Sequence, residues 1–152
     1  MNKTNNSLKT AHILLGVPAI YTCLLLLALL IFNIYLVFAA GQDPNGGGWI
    51  IFYQMILGMF FIPLLVLAIA HCITCLISFL QREKRKKASK VLGIVSSILG
   101  IITMVLSLPC TFIFVIDGTA VAVLLPVTFL EFLSIISLII ALVFFAKTKI
   151  QS

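Results

Sequence analysis

Residues 24–32, Leu24-Leu25-Leu26-Leu27-Ala28-Leu29-Leu30-Ile31-Phe32, are nine apolar side chains in a row. A membrane-barrel strand alternates apolar and polar residues over about ten positions, and this run does not alternate. An open strand in hydrocarbon would also leave its backbone N–H groups unpaired, whereas a helix pairs them within the segment. The stretch reads as the interior of a helix.

Working outward, no Asp, Glu, Lys or Arg occurs at residues 10–42, 44–81 or 91–116, and residues 118–146 contain only Glu131. A spanning helix takes about 20 apolar residues, so each run accommodates one. The expected fold class is an all-α membrane protein: four transmembrane helices in an antiparallel bundle, near 12–40, 50–80, 91–115 and 120–146. They form one domain over residues 1–152, with a basic loop at 81–90. Composition agrees. The chain is 62% hydrophobic and 9% charged, with a mean hydropathy of +1.28, where a soluble domain is roughly half apolar and about a quarter charged. Such a chain cannot cover a globular core in water. That excludes a cytosolic enzyme, a nucleic-acid-binding domain and a disordered tail.

The net charge is +6, and the basic residues lie outside the apolar runs. Arg82, Lys84, Arg85, Lys86, Lys87 and Lys90 sit in the 81–90 loop, with Lys3, Lys9, Lys147 and Lys149 near the termini. The other two loops, 41–49 and 116–119, have none. Loops rich in Lys and Arg stay on the cytoplasmic side. Both termini and the 81–90 loop are therefore expected in the cytoplasm of a multi-pass cell-membrane protein, with the basic loop facing anionic lipid or an acidic partner. No nucleic-acid partner is expected, because no base-stacking residues interleave with the positive charges.

Several local patterns have plain readings. Asn2-Lys3-Thr4 and Asn5-Asn6-Ser7 match the glycosylation pattern but lie on the expected cytoplasmic side. The first apolar run is roughly twice the 7–15 residues of a signal peptide and reads as an uncleaved helix. Gly41 to Trp49 is turn chemistry. Trp49, Tyr53 and Tyr35 suit an aromatic belt, and no Lys and Ser/Thr follow the glycines, so no phosphate cradle is expected. Ile13 to Val17 and Val91 to Val95 are similar, but the match is too short to establish a duplication.

Polar residues inside the runs carry most of the functional information. Glu131 is costly in hydrocarbon, roughly 2.5–3.5 kcal/mol when ionised on insertion scales, and should face the bundle, protonated or hydrogen-bonded. Thr128 and Ser134 share its helix face, and Asn33 and Gln54 lie at similar depth, so the five are expected to form an intramembrane polar cluster. In the third helix Gly93, Ser96, Gly100, Thr103 and Ser107 form a stripe of small residues that lets helices approach closely. His71, Cys72 and Cys75 suggest a soft-metal site, a thiol-redox pair or palmitoylation, set against simple packing of small buried thiols. Packing is the expectation, with no metal and no cofactor.

No catalytic constellation emerges. The expected function is non-catalytic partner binding within the membrane, as an accessory subunit or protector protein bound to another membrane protein or to a second copy. The alternatives are a small transporter or channel subunit using Glu131, and a thiol-redox enzyme using Cys72 and Cys75. Tetraspanin-like and claudin-like proteins have four spans, but their large cysteine-bearing outer loops are absent here. Small multidrug exporters carry their buried Glu in the first helix rather than the fourth.

Overall fold

A computed structural model describes the backbone of residues 3–42, 47–113 and 121–148, and side chains chiefly over 6–28, 61–109 and 126–148. The described residues form four helices: α1 (Lys3–Gln42), α2 (Gly47–Leu80), α3 (Lys86–Ile113) and α4 (Val121–Lys147). Each contains a segment long and apolar enough to cross a membrane: Asn6–Ala28, Phe61–Leu80, Lys86–Pro109 and Pro126–Lys147, with mean hydropathies from 2.0 to 2.6.

α1 and α3 begin before their uncharged stretches do. α1 starts at Lys3 rather than near 12, because Leu8 and Ala11 are buried against the bundle and Ser7 hydrogen-bonds Thr148 at the end of α4, Oγ to Oγ1, at 3.1 Å. α3 starts at Lys86 rather than near 91. Lys and Arg are good helix formers, and Ser89 N–H donates to the Arg85 carbonyl at 2.9 Å. Only 81–85 remains as a linker. Likewise Gly47-Gly48-Trp49 belongs to the first turn of α2 rather than to a 41–49 loop.

α1 and α3 face each other across the bundle, and each packs against both α2 and α4. Buried positions recur at alternating spacings of three and four residues. On α1 they include Leu8, Ala11, Leu15, Pro18, Thr22 and Leu25; on α4, Glu131, Ser134, Leu138, Ala141 and Phe145. That period keeps one seam of each helix turned inward.

The outer surface is apolar, and polar side chains join Leu, Met and Phe in the interior. Large apolar side chains lie outside, with Met59 78%, Ile20 65% and Phe129 64% exposed, while the interior holds His12, His71, Glu131 and a set of serines and threonines.

α3 contributes little volume, and its neighbours fill the space. Gly93 lies against the Phe145 ring: a Cβ there would fall 2.5 Å from Cζ. At Gly100 a Cβ would fall 2.8 Å from His71 Cε1 and 3.0 Å from Leu138 Cδ1. One heptad further, Ser107 meets Glu131. The α3 positions 93, 100 and 107 thus receive α4 positions 145, 138 and 131, the register of an antiparallel pair.

Pro18 lies inside α1. Proline has no N–H, so the carbonyl four residues earlier loses its helical donor. That carbonyl belongs to Leu14, and Ser137 Oγ of α4 donates to it at 2.8 Å. A neighbouring helix supplies the bond that proline removed.

Candidate functional site

Glu131 is fully buried. Ser107 Oγ donates to its Oε1 at 2.8 Å and also lies 2.8 Å from the Met104 carbonyl. Ser134, one turn along α4, is buried, and Thr128 is half-buried. The side chains of Asn33 and Gln54 lie outside the described residues, as do those of Trp49, Tyr53 and Cys110. Among the described residues the structure brings Ser107 to Glu131, a serine that in the sequence reads only as part of the small-residue stripe. Ser96 and Thr103 of that stripe are buried too. Thr103 donates back to the Leu99 carbonyl at 2.7 Å, which satisfies its hydroxyl within the helix.

His71 and the thiols part company. His71 is fully buried between α2 and α3. Its Nδ1 lies 2.8 Å from the Ser96 carbonyl and 3.0 Å from Ser96 Oγ, and that hydroxyl donates to the His71 carbonyl at 3.0 Å. Nδ1 therefore carries the proton, since the Ser96 carbonyl can only accept. Nε2 is buried without a partner. Cys72 and Cys75 instead line the outside of the α1–α2 seam. The thiol in contact with Cys72 comes from α1: Cys23 Sγ lies 3.3 Å from Cys72 Sγ, 49 residues away in sequence. Among the described residues, no three His, Cys, Asp or Glu side chains converge as a metal site would require.

A second histidine cluster has no signal in the sequence beyond the residues themselves. His12 is buried, with Nδ1 2.6 Å from the Leu8 carbonyl. Its Nε2 lies 3.1 Å from Ser78 Oγ and 3.0 Å from Ser89 Oγ. Ser78 Oγ donates to the Ser89 carbonyl and Ser89 Oγ to the Ser78 carbonyl, both at 2.7 Å. The two serines flank the short 81–85 linker, so their reciprocal bonds close the α2–α3 hairpin, and His12 fastens it to α1. The ring also packs edge-on against Phe145, with centroids 5.1 Å apart. All four helices meet here. Because the Leu8 carbonyl only accepts, Nδ1 is a donor; a neutral ring then requires one serine hydroxyl to turn from its carbonyl towards Nε2.

The basic segment divides by role. Lys90 Nζ donates to the carbonyls of Ala146 at 3.2 Å and Thr148 at 2.9 Å, satisfying acceptors that the end of α4 leaves open. The Arg82 guanidinium lies 5.3 Å from the Phe79 ring centroid and 3.3 Å from Glu83. Lys84, Arg85, Lys86 and Lys87 are exposed.

A groove of about 550 Å³ lies between α1 and α2. Gly16, Ala19, Ile20 and Cys23 of α1 face Cys72, Cys75 and Phe79 of α2 across it. Its lining is almost wholly apolar. Gly16 has open space where a Cβ would stand, in contrast to Gly93 and Gly100. Glu131 is not among the lining residues. Comparison with protein-family models, curated proteins and solved structures finds no match.

Proposed function

We propose that this chain is a multi-pass protein of the cell membrane, with its termini and residues 81–90 on the cytoplasmic side, and that it acts without catalysis by holding a transmembrane helix of a partner protein in the α1–α2 groove. The observation that carries this reading is Gly16. Close helix packing in lipid depends on small residues at the interface, and the small residues of α3 are already filled by Phe145, Leu138, His71 and Glu131. Gly16, Ala19 and Cys23, at spacings of three and four on α1, form a second small-residue stripe, and this one opens on a groove. The exposed Lys84, Arg85, Lys86 and Lys87 would hold the cytoplasmic end against anionic headgroups, at about 1 kcal/mol per basic residue. Glu131 supports a structural role, since its carboxyl group is bonded to Ser107 and stands off the groove.

Photocrosslinking in native membranes tests this. A photoreactive residue replacing Ile20, at the groove, should give a protein adduct of discrete mass. The same residue at Ile98 or Ile136, exposed on α3 and α4, should not. Adding Gly16→Leu, which projects into the groove from a position where a Cβ meets nothing, should abolish the adduct. An adduct of twice the chain mass would identify the partner as a second copy. Lipid adducts alone at position 20, or an adduct indifferent to Gly16→Leu, would refute the reading.

A further inference from the structure

The groove holds three thiols in an apolar lining. Two of them, Cys23 on α1 and Cys72 on α2, are in contact at 3.3 Å. A disulfide needs its sulfurs at about 2.05 Å, so a closure of about 1.2 Å between two adjacent side chains, with no change of partner helix, would form the bond. Both thiols are free: Cys23 is exposed on the outer face of the bundle and Cys72 is half-buried. A reagent can reach them from the side of α1 and α2.

The surroundings restrict what that reagent is. The lining is apolar, and its basic side chain, His12 at one end, is already bonded to Leu8, Ser78 and Ser89. A charged, water-soluble thiol or disulfide would have to shed its hydration to enter this lining. An apolar two-electron oxidant that dissolves in lipid carries no such hydration and reaches the thiols from the bilayer, its own oxygens taking up the two thiol protons.

We propose that Cys23 and Cys72 form a redox-modification site, oxidised by a lipid-soluble quinone to a disulfide that staples α1 to α2. Two S–H bonds break and one S–S bond forms. The two electrons and two protons pass to the two carbonyl oxygens of the quinone, giving one quinol per disulfide. Cys75, one turn along α2, lies on the same groove but is not part of the pair. The site follows from the thiol geometry and stands whether or not the groove also receives a partner helix.

The test uses the full chain reconstituted in lipid, fully reduced and kept under anaerobic conditions. It is exposed to a short-chain quinone whose ring positions are all substituted, so that thiol addition to the ring is blocked. Free thiols are then counted by polyethylene-glycol maleimide labelling after denaturation, and quinol is read by absorbance. The parent chain has four cysteines and should fall from four labels to two, releasing one quinol per chain; dithiothreitol should restore all four. Cys75→Ser and Cys110→Ser should still lose two labels, whereas Cys23→Ser and Cys72→Ser, or the matching Ala variants, should lose none. The parent measurement does not depend on any variant folding. Four labels surviving a saturating quinone, or a loss of two that persists in Cys23→Ser, would overturn the proposal.

Discussion

The bond from Ser137 to the Leu14 carbonyl exists, on the reading above, because Pro18 cannot make its own. Ser137→Ala should then leave that carbonyl with neither its helical donor nor its substitute. Interhelical hydrogen bonds in membrane proteins average about 0.6 kcal/mol and reach about 1.7. An orphaned buried acceptor costs about 1–3 kcal/mol, and this contact is part-buried, so the expected loss is about 1.5 kcal/mol, close to a tenfold drop in the folded-to-unfolded ratio. In a Pro18→Ala background, residue 18 regains an N–H that donates to Leu14, and Ser137 becomes redundant. There Ser137→Ala should cost under about 0.5 kcal/mol, giving a coupling near 1 kcal/mol, the size expected for groups sharing one partner. Pro18→Ala alone exchanges better helix propensity for a poorer fit at a buried position, and the cycle cancels that contribution. Reversible unfolding by SDS in mixed micelles, followed through the thiol reactivity of half-buried Cys75, supplies the four free energies. If Ser137→Ala costs the same in both backgrounds to within about 0.3 kcal/mol, the proline account of this contact is wrong.

The remaining expectations are more direct. Gly93→Leu should unfold the bundle or shift its melting sharply, since even a Cβ falls 2.5 Å from a Phe145 ring that is itself fully buried, and overpacking costs typically about 1–3 kcal/mol; partial rescue by Phe145→Ala would identify the ring as the obstacle. Gly16→Ala, which meets nothing, should leave thermal stability unchanged or raised by up to about 1 kcal/mol, and a marked loss would place another group at that position. Glu131→Gln keeps an oxygen to accept from Ser107 and should retain both stability and the position-20 crosslink, whereas Glu131→Leu should cost about 1–2 kcal/mol, softened because Ser107 still has the Met104 carbonyl. A Glu131→Gln protein that melts normally yet loses all crosslinking would return the carboxyl to a functional role. Reporter fusions at residues 45, 86 and 152 should read outside, inside and inside; an exported reporter at 86 would invert the proposed topology.

Hydrophobic run lengths by themselves determined that four long apolar helices form, because backbone groups among apolar side chains pair most simply within one helix. The heptad spacing of Gly93, Gly100 and Ser107 likewise marked one face of α3, since periodicity is a property of the chain. What fills that face depends on register between helices, and apolar runs rich in Leu, Ile and Phe leave register open. Only packing decided that Phe145, Leu138 and Glu131 arrive in antiparallel order, that His71 turns inward while Cys72 turns out, and that Cys23 becomes its neighbour. The same holds for the carbonyl freed by Pro18. Sequence shows that Leu14 lacks a donor, but a side chain 123 residues away supplies one, and only tertiary structure could select Ser137. The His12, Ser78 and Ser89 cluster was hidden for a related reason: single polar residues on three helices carry no spacing signal, and their hydrogen bonds exist only once the hairpin has closed.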